Sequence, residues 1–504
     1  MTTHHDRDRR RGVRLRTLVV PVAVLLLAGC TAGRPSVAPT TPPPSAGAPA
    51  GTAPTRSDGP SAPSGPSTGT GPSRAAASDA WPSYHGTATL TGAVPAGAPL
   101  DHATRRWSVD LGGTVQGQPV AADGRIVAAT ERNRVVALDP TTGHVLWSRT
   151  LGTPLTHVAA VAGCGDIDPL GITSTPAIDP ATRIVYVVAE VDAGRGVVHH
   201  VLSGLDLATG RTVRTEDVDP PLPAGESPVH LLQRVSLAVA NGRVYVGYGG
   251  NAGDCGHYHG WVVGVRESGA PDPVSFEVAP DGEGGAVWES GGGIAVGADG
   301  HLFVTTGNAN PDPPQGGPDP ERYTESVVEL SPDLRPLAAF KDRVAGGDED
   351  LSTSNPVLLP GGLVFAVGKT DTAFVLRQGD LSQVTAIRHV CGSDPDGAPA
   401  FDRRTDRVFV PCRGGGIQRV DLATRTLGPR LAGANSGPTL IGRDLWAVEY
   451  PTGNVSEWDP RSGRRLQTLH TGTALPTFAT PTSVDGLLLV PTVHGVTAFA
   501  GRSS

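Results

Sequence analysis

The stretch from Pro119 to Trp147 holds four short apolar runs separated by turn residues, and the pattern returns along the rest of the chain. Pro119-Val120-Ala121-Ala122-Asp123-Gly124 reads as a strand ending in a tight turn, with Arg125-Ile126-Val127-Ala128-Ala129-Thr130 as its hairpin partner. Arg134-Val135-Val136-Ala137-Leu138 supplies a third strand and His144-Val145-Leu146-Trp147 a fourth. Between them lies Asp139-Pro140-Thr141-Thr142-Gly143, where Asp139 can accept backbone N–H groups and Gly143 can take positive φ. A sheet of four such strands cannot bury both faces alone, so copies of it must stack on one another.

Seven further copies of the first hairpin begin near Pro176, Ser236, Gly292, Pro356, Pro399, Pro438 and Pro481. Their spacing is that of propeller blades, and the expected fold is an all-β, eight-bladed β-propeller of four-stranded antiparallel blades over residues 81–504. The composition agrees: 67 glycines and 47 prolines against a single methionine describe a chain of many turns and few long helices. The Asp-x-x-x-Gly turn recurs at Asp206–Gly210 and Asp459–Gly463, whereas Asp421–Arg425 keeps the aspartate and loses the glycine. The last repeat, Pro481 to Phe499, is short of strands. The early segment Arg106-Trp107-Ser108-Val109-Asp110-Leu111 is therefore expected to complete it and close the ring, removing exposed sheet edges.

The run Val135–Trp147, the segment Trp81-Pro82-Ser83-Tyr84-His85-Gly86 and Gly171-Ile172-Thr173-Ser174-Thr175-Pro176 resemble the PQQ-like, quinoprotein alcohol dehydrogenase-like propeller repeat, over roughly Trp81 to Gly501. The resemblance implies the propeller fold. For chemistry it implies two options, because such repeats serve both quinone-dependent dehydrogenases and non-catalytic envelope scaffolds. A dehydrogenase of this family would clamp PQQ against a tryptophan, often beside a ring of two adjacent cysteines, with Ca²⁺ on oxygen ligands and an aspartate as base. This chain has no adjacent cysteine pair. Trp107, Trp147, Trp261, Trp288, Trp446 and Trp458 fall on or beside expected strands and read as packing between blades.

Residues 1–29 read as an export signal: six arginines within Arg7–Arg16, a ten-residue apolar run Leu18–Leu27, then Leu27-Ala28-Gly29-Cys30, which resembles a bacterial lipobox. Cys30 is the expected site of lipid attachment, placing the protein on the outer face of the cell membrane. Residues 30–80 form the expected tether; 44 of the 50 residues from Thr31 to Ala80 are Pro, Ser, Thr, Gly or Ala, too little apolar surface to fold. As a flexible coil this spans about 40 Å. From Cys30 onward the chain carries 35 Lys and Arg against 47 Asp and Glu, a net charge near −12 that argues against a nucleic-acid partner.

Four cysteines remain after Cys30, and export makes disulfides the expected state. Of three connectivities, Cys164–Cys255 and Cys391–Cys412 is the preferred one. It would bring Cys164-Gly165-Asp166-Ile167-Asp168 against Asp254-Cys255-Gly256-His257-Tyr258-His259, gathering Asp166, Asp168, Asp254, His257 and His259 into a candidate site. His257 and His259 would share a face on a strand, a weak metal signal, and no metal is assigned. His199-His200 is weaker, since adjacent strand residues point to opposite faces. Asn308 to Tyr323 is a Pro/Asp-rich insertion that reads as a lid, partner loop or simple excursion. Glycine-rich segments without a following helix or lysine argue against a phosphate site, and no serine sits in a nucleophile elbow, so no catalytic residue is named. The expected function is a monomeric envelope lipoprotein whose propeller binds a protein or glycan partner without a cofactor. The alternatives are a dehydrogenase of alcohols or sugars using PQQ with calcium, and a propeller lipoprotein of the outer-membrane-assembly type.

Overall fold

A computed structural model describes residues 80–94, 100–309, 322–342, 348–395 and 397–501. Cys30, the tether and most of the Asn308–Tyr323 insertion lie outside the described residues. No described helix is long and apolar enough to cross a membrane.

The described residues form eight sheets, antiparallel except where Ala93–Val94 runs parallel to Thr439–Ile441, the propeller expected from the repeats. The first blade consists of Val120–Ala122, Arg125–Thr130, Arg134–Leu138 and Val145–Thr150, in that order from inside to outside. Its inner three strands are almost wholly buried, whereas the outermost, Val145–Thr150, is exposed apart from buried Trp147 and half-buried Ser148, because it lies at the sheet's edge. The other blades start their innermost strands at Ala177, Ala238, Ala295, Val357, Ala400, Thr439 and Thr482, each within three residues of the expected start. Thr104–Asp110 pairs antiparallel with Gly495–Ala500 and closes the ring as the outermost strand of the eighth blade.

At two seams, neighbouring blades are joined by a tryptophan docked on a turn. In the first blade Asp139 Oδ1 accepts from the Thr142 amide at 2.9 Å and its hydroxyl at 2.8 Å, and Gly143 completes the turn at φ 72°. Trp107 of the closing strand lies beneath that glycine and donates its indole N–H to Pro140 O at 2.9 Å. Trp147 repeats the contact one blade on, donating to Leu207 O at 2.9 Å under Gly210, where a Cβ would lie 2.5 Å from the indole. At Gly143 and Gly210 the Asp-x-x-x-Gly motif is thus both a turn and a socket, whereas Gly463 faces Leu431.

Residues Trp81–Val94 form a strap across one end of the ring. Trp81 bridges Ala121 of the first blade, and Pro82, Ala88, Thr89, Thr91 and Gly92 accept the amides of Ile178, Val296, Leu358, Phe401 and Leu440 on the inner strands of the second, fourth, fifth, sixth and seventh blades. Trp81, Tyr84, His85 and Leu90 are buried by it. The strap satisfies backbone donors that would otherwise face the axis unpaired, and so seals that end.

Candidate binding site at the propeller axis

At the end of the ring away from the strap, loops entering the inner strands converge on a cavity of about 400 Å³. Gln116, Arg234, Trp288, Asp350 and Phe478 come from the approaches to five different blades, and Lys369 and Arg413 from hairpin turns of the fifth and sixth. Trp288 and Phe478 are half-buried, with ring centroids 5.8 Å apart, and form an aromatic wall. The Arg234 guanidinium sits 5.0 Å over the Phe478 ring.

The charges in this cavity are not evenly compensated. Lys369 pairs with Asp348 and, at 3.0 Å, with Asp350; Arg413 pairs with Asp394 at 3.4 Å. Arg234 is 4% exposed, donates to Thr477 O at 3.1 Å, and makes no ion pair with a carboxylate among the described residues. Its Nε has no partner. Burial pulls its pKa down, with Glu131 and Asp166 acting against that from a distance. Asp350 is pushed up by burial, which outweighs Lys369 beside it. A desolvated cation without a counter-ion is costly, so the cavity favours an anion.

A larger cavity of about 650 Å³ lies on the strap side, lined by Thr87, Thr89, Thr91, Leu358, Phe401 and Arg404. It presents no buried unpaired charge, which is why the axial cavity is the candidate site.

The disulfides pair Cys164 with Cys255 and Cys391 with Cys412, both as preferred from the sequence. The first pins the rim of the axial cavity, to which Asp166 and Asp254 contribute. The other three candidates go elsewhere. Asp168 accepts the His157 amide at 3.2 Å, and His257 is exposed and meets Glu283 at 2.8 Å. His259 is buried, with Nδ1 on Glu226 and Nε2 on Gly282 O at 2.9 Å. Burial works against its charge, but the Glu226 contact wins and raises its pKa; both ring nitrogens are engaged by protein partners, which leaves neither turned to a metal.

Arg234, Lys369, Asp350 and Phe478 were not singled out in the sequence. Trp288, read as packing, does rest against the third blade's core, but it also faces the cavity. The usable signal was position: each inner strand begins one to three residues after a repeat start, so residues just upstream of those starts, such as Gln116, Arg234 and Phe478, approach the axis.

Residues 98–270 match the family described as outer membrane protein assembly factor BamB. Among solved structures, the quinohemoprotein alcohol dehydrogenase from Comamonas testosteroni is similar at 16% identity and TM-score 0.65, covering 84% of this chain and 81% of that one. A europium-containing methanol dehydrogenase gives 13% identity and TM-score 0.63 over 84% and 98%. BamB from Moraxella catarrhalis gives 14% and 0.52 over 79% and 99%. At these identities the likeness is one of fold. No curated protein matches the chain.

Proposed function

We propose that the protein, whose residues 98–270 match the BamB-type repeat family, is an extracytoplasmic binding propeller, held to the membrane through Cys30, whose axial cavity receives the anionic group of an envelope glycan. The observation that carries this reading is Arg234: a buried guanidinium with an unpartnered Nε, beside an aromatic wall suited to the flat face of a sugar ring. The carboxylates Asp166, Asp254 and Asp348 at the rim are acceptors for hydroxyl groups. Two disulfides fit an oxidising compartment.

A second reading, the quinone-dependent dehydrogenase, is favoured by one further observation. Asn251, Asp254, Asp348 and Asp350 place oxygen donors in the same cavity as Trp288 and Lys369. A planar polyanion fits Arg234 and Trp288, and a hard cation fits those oxygens. A bound quinone would supply two-electron oxidation. Against a full match, the disulfide at this rim joins residues 91 apart in sequence rather than adjacent cysteines.

Calorimetric titration of the full-length protein separates the readings. Acidic oligosaccharides should bind and lose at least about tenfold in affinity in Arg234→Met, since a hydrogen bond to a charged group contributes about 1.5–3 kcal/mol. Stoichiometric PQQ retention dependent on Ca²⁺ would favour the dehydrogenase. Binding of acidic and neutral oligosaccharides with equal affinity would sink the role given to Arg234.

A further inference from the structure

Away from the axis, the fourth blade carries a set of ligating groups that the proposed binding role does not use. Asp299 and His301 lie on the turn between strands Ala295–Val296 and Leu302–Thr305, and Glu329 lies on the third strand, Ser326–Leu330. Glu329 is directly opposite Phe303, and His301 stands two residues before Phe303, so the two side chains share a face of the sheet. Neighbouring blades brace both parts. Asn241 Nδ2 of the third blade donates to Gly300 O at 2.9 Å, inside the turn, and the Gly379 amide of the fifth donates to Glu329 Oε2 at 2.6 Å.

These contacts leave one oxygen of each carboxylate turned to the imidazole. Glu329 Oε1 is 2.8 Å and Asp299 Oδ2 3.3 Å from His301 Nδ1, while Asp299 Oδ1 accepts the His301 amide at 3.1 Å. The three ligand atoms all lie within 4.8 Å of one another. Two ligands of one metal ion, each at about 2.0–2.2 Å, stand roughly 3–4 Å apart, so small side-chain rotations suffice to receive one. The Glu329 side chain is 1% exposed and aimed into the group: among the described residues its Oε1 has no hydrogen-bond or ion-pair partner but His301, and neither carboxylate pairs with Lys or Arg. One ring N–H is shared between two carboxylates, and leaving a desolvated one so poorly compensated is costly.

We propose that Asp299, His301 and Glu329 bind one first-row divalent metal ion, with Zn²⁺ the best match. An imidazole beside two carboxylates selects that class over Ca²⁺ and Mg²⁺, which prefer all-oxygen ligands. The ion takes the His301 Nδ1 lone pair in place of its proton and offsets both carboxylates together, so it binds more tightly as pH rises. Three protein ligands leave a fourth position open. It is reached past Asp299, 55% exposed, on the turn whose Gly297 and Ala298 line the strap-side cavity.

His199, Asp217 and Asp219 on the second blade also lie within ligating distance of one another and are the competing location. Asp219 already accepts from His199 Nδ1 at 3.0 Å, the His200 amide at 2.9 Å and His200 Nδ1 at 2.8 Å, so its charge is compensated without an ion. To tell the two apart, the full-length protein is stripped with a chelator, loaded with Zn²⁺, passed through gel filtration and assayed for bound metal by mass spectrometry. One equivalent should be retained by the native chain and by His199→Ala/Asp217→Asn, and lost in His301→Ala, a change at a position 32% exposed. Glu329→Gln keeps an acceptor for the Gly379 amide and should lower Zn²⁺ affinity at least about a hundredfold, beyond the roughly 10- to 100-fold that losing an outer partner of a ligand costs. Both variants should keep the native near-UV circular dichroism. No retained Zn²⁺ in the native chain, tighter binding of Ca²⁺ than of Zn²⁺, retention that survives His301→Ala, or retention that follows His199 and Asp217 would overturn the proposal.

Discussion

The tryptophan sockets allow a prediction in which two costs are measured apart. Gly210→Ala imposes two penalties: a non-glycine residue at φ 67°, and a Cβ 2.5 Å from the Trp147 ring. The first is worth about 1–2 kcal/mol and belongs to the turn alone. The second forces Trp147, 7% exposed and bonded to Leu207 O, to shift, costing about 1–3 kcal/mol as overpacking does elsewhere. Trp147→Ala removes a buried indole and its hydrogen bond at about 3–5 kcal/mol. In the double variant the ring is gone and only the backbone penalty of the alanine remains. The two changes should therefore be non-additive by about 1–3 kcal/mol, read from urea midpoints at constant m-value. Additivity within about 0.5 kcal/mol would refute the socket, because independent sites add to that tolerance.

Two further outcomes follow from the loops. Replacing Cys391 and Cys412 by serine removes a link between residues 21 apart, worth about 3 kcal/mol of chain entropy. The same change at Cys164 and Cys255, 91 apart, removes about 4–5 kcal/mol and also frees the cavity rim, so only the second should weaken ligand binding in the titration. His259 has its pKa raised from 6.5 in the folded state, so its pairing with Glu226 stabilises fully below that pH and is lost as pH rises through the higher folded value. The melting temperature of the native chain should fall over that window more than that of Glu226→Gln; parallel curves would remove the pair from the account.

The repeats were legible because each blade is a local object. Turn residues, alternation and the Asp-x-x-x-Gly motif act within a dozen neighbours, so the eight starts follow from residues near one another in the chain, and the closing strand around Trp107 from the strands missing in the last repeat. The same locality explains what was misread. His199 and His200 do point to opposite faces of a strand, yet both reach one carboxylate, Asp219, which lies beyond the end of the next strand and offers one oxygen to each. Strand periodicity carries no information about that meeting.

The axial site shows the same division. Sequence separation decides which residues share a blade, and cysteine pairing brought Asp166 and Asp254 toward the rim. Closing the ring then brings Arg234, Trp288, Lys369 and Phe478 together from four blades, and burial turns a surface-type arginine into an unpaired cation. The sequence by itself determined a propeller, its blade count and its turns, because those depend on local turn chemistry and periodic burial. Only the tertiary structure decided which charge lies unpaired at the axis, because desolvation depends on neighbours far away in the chain.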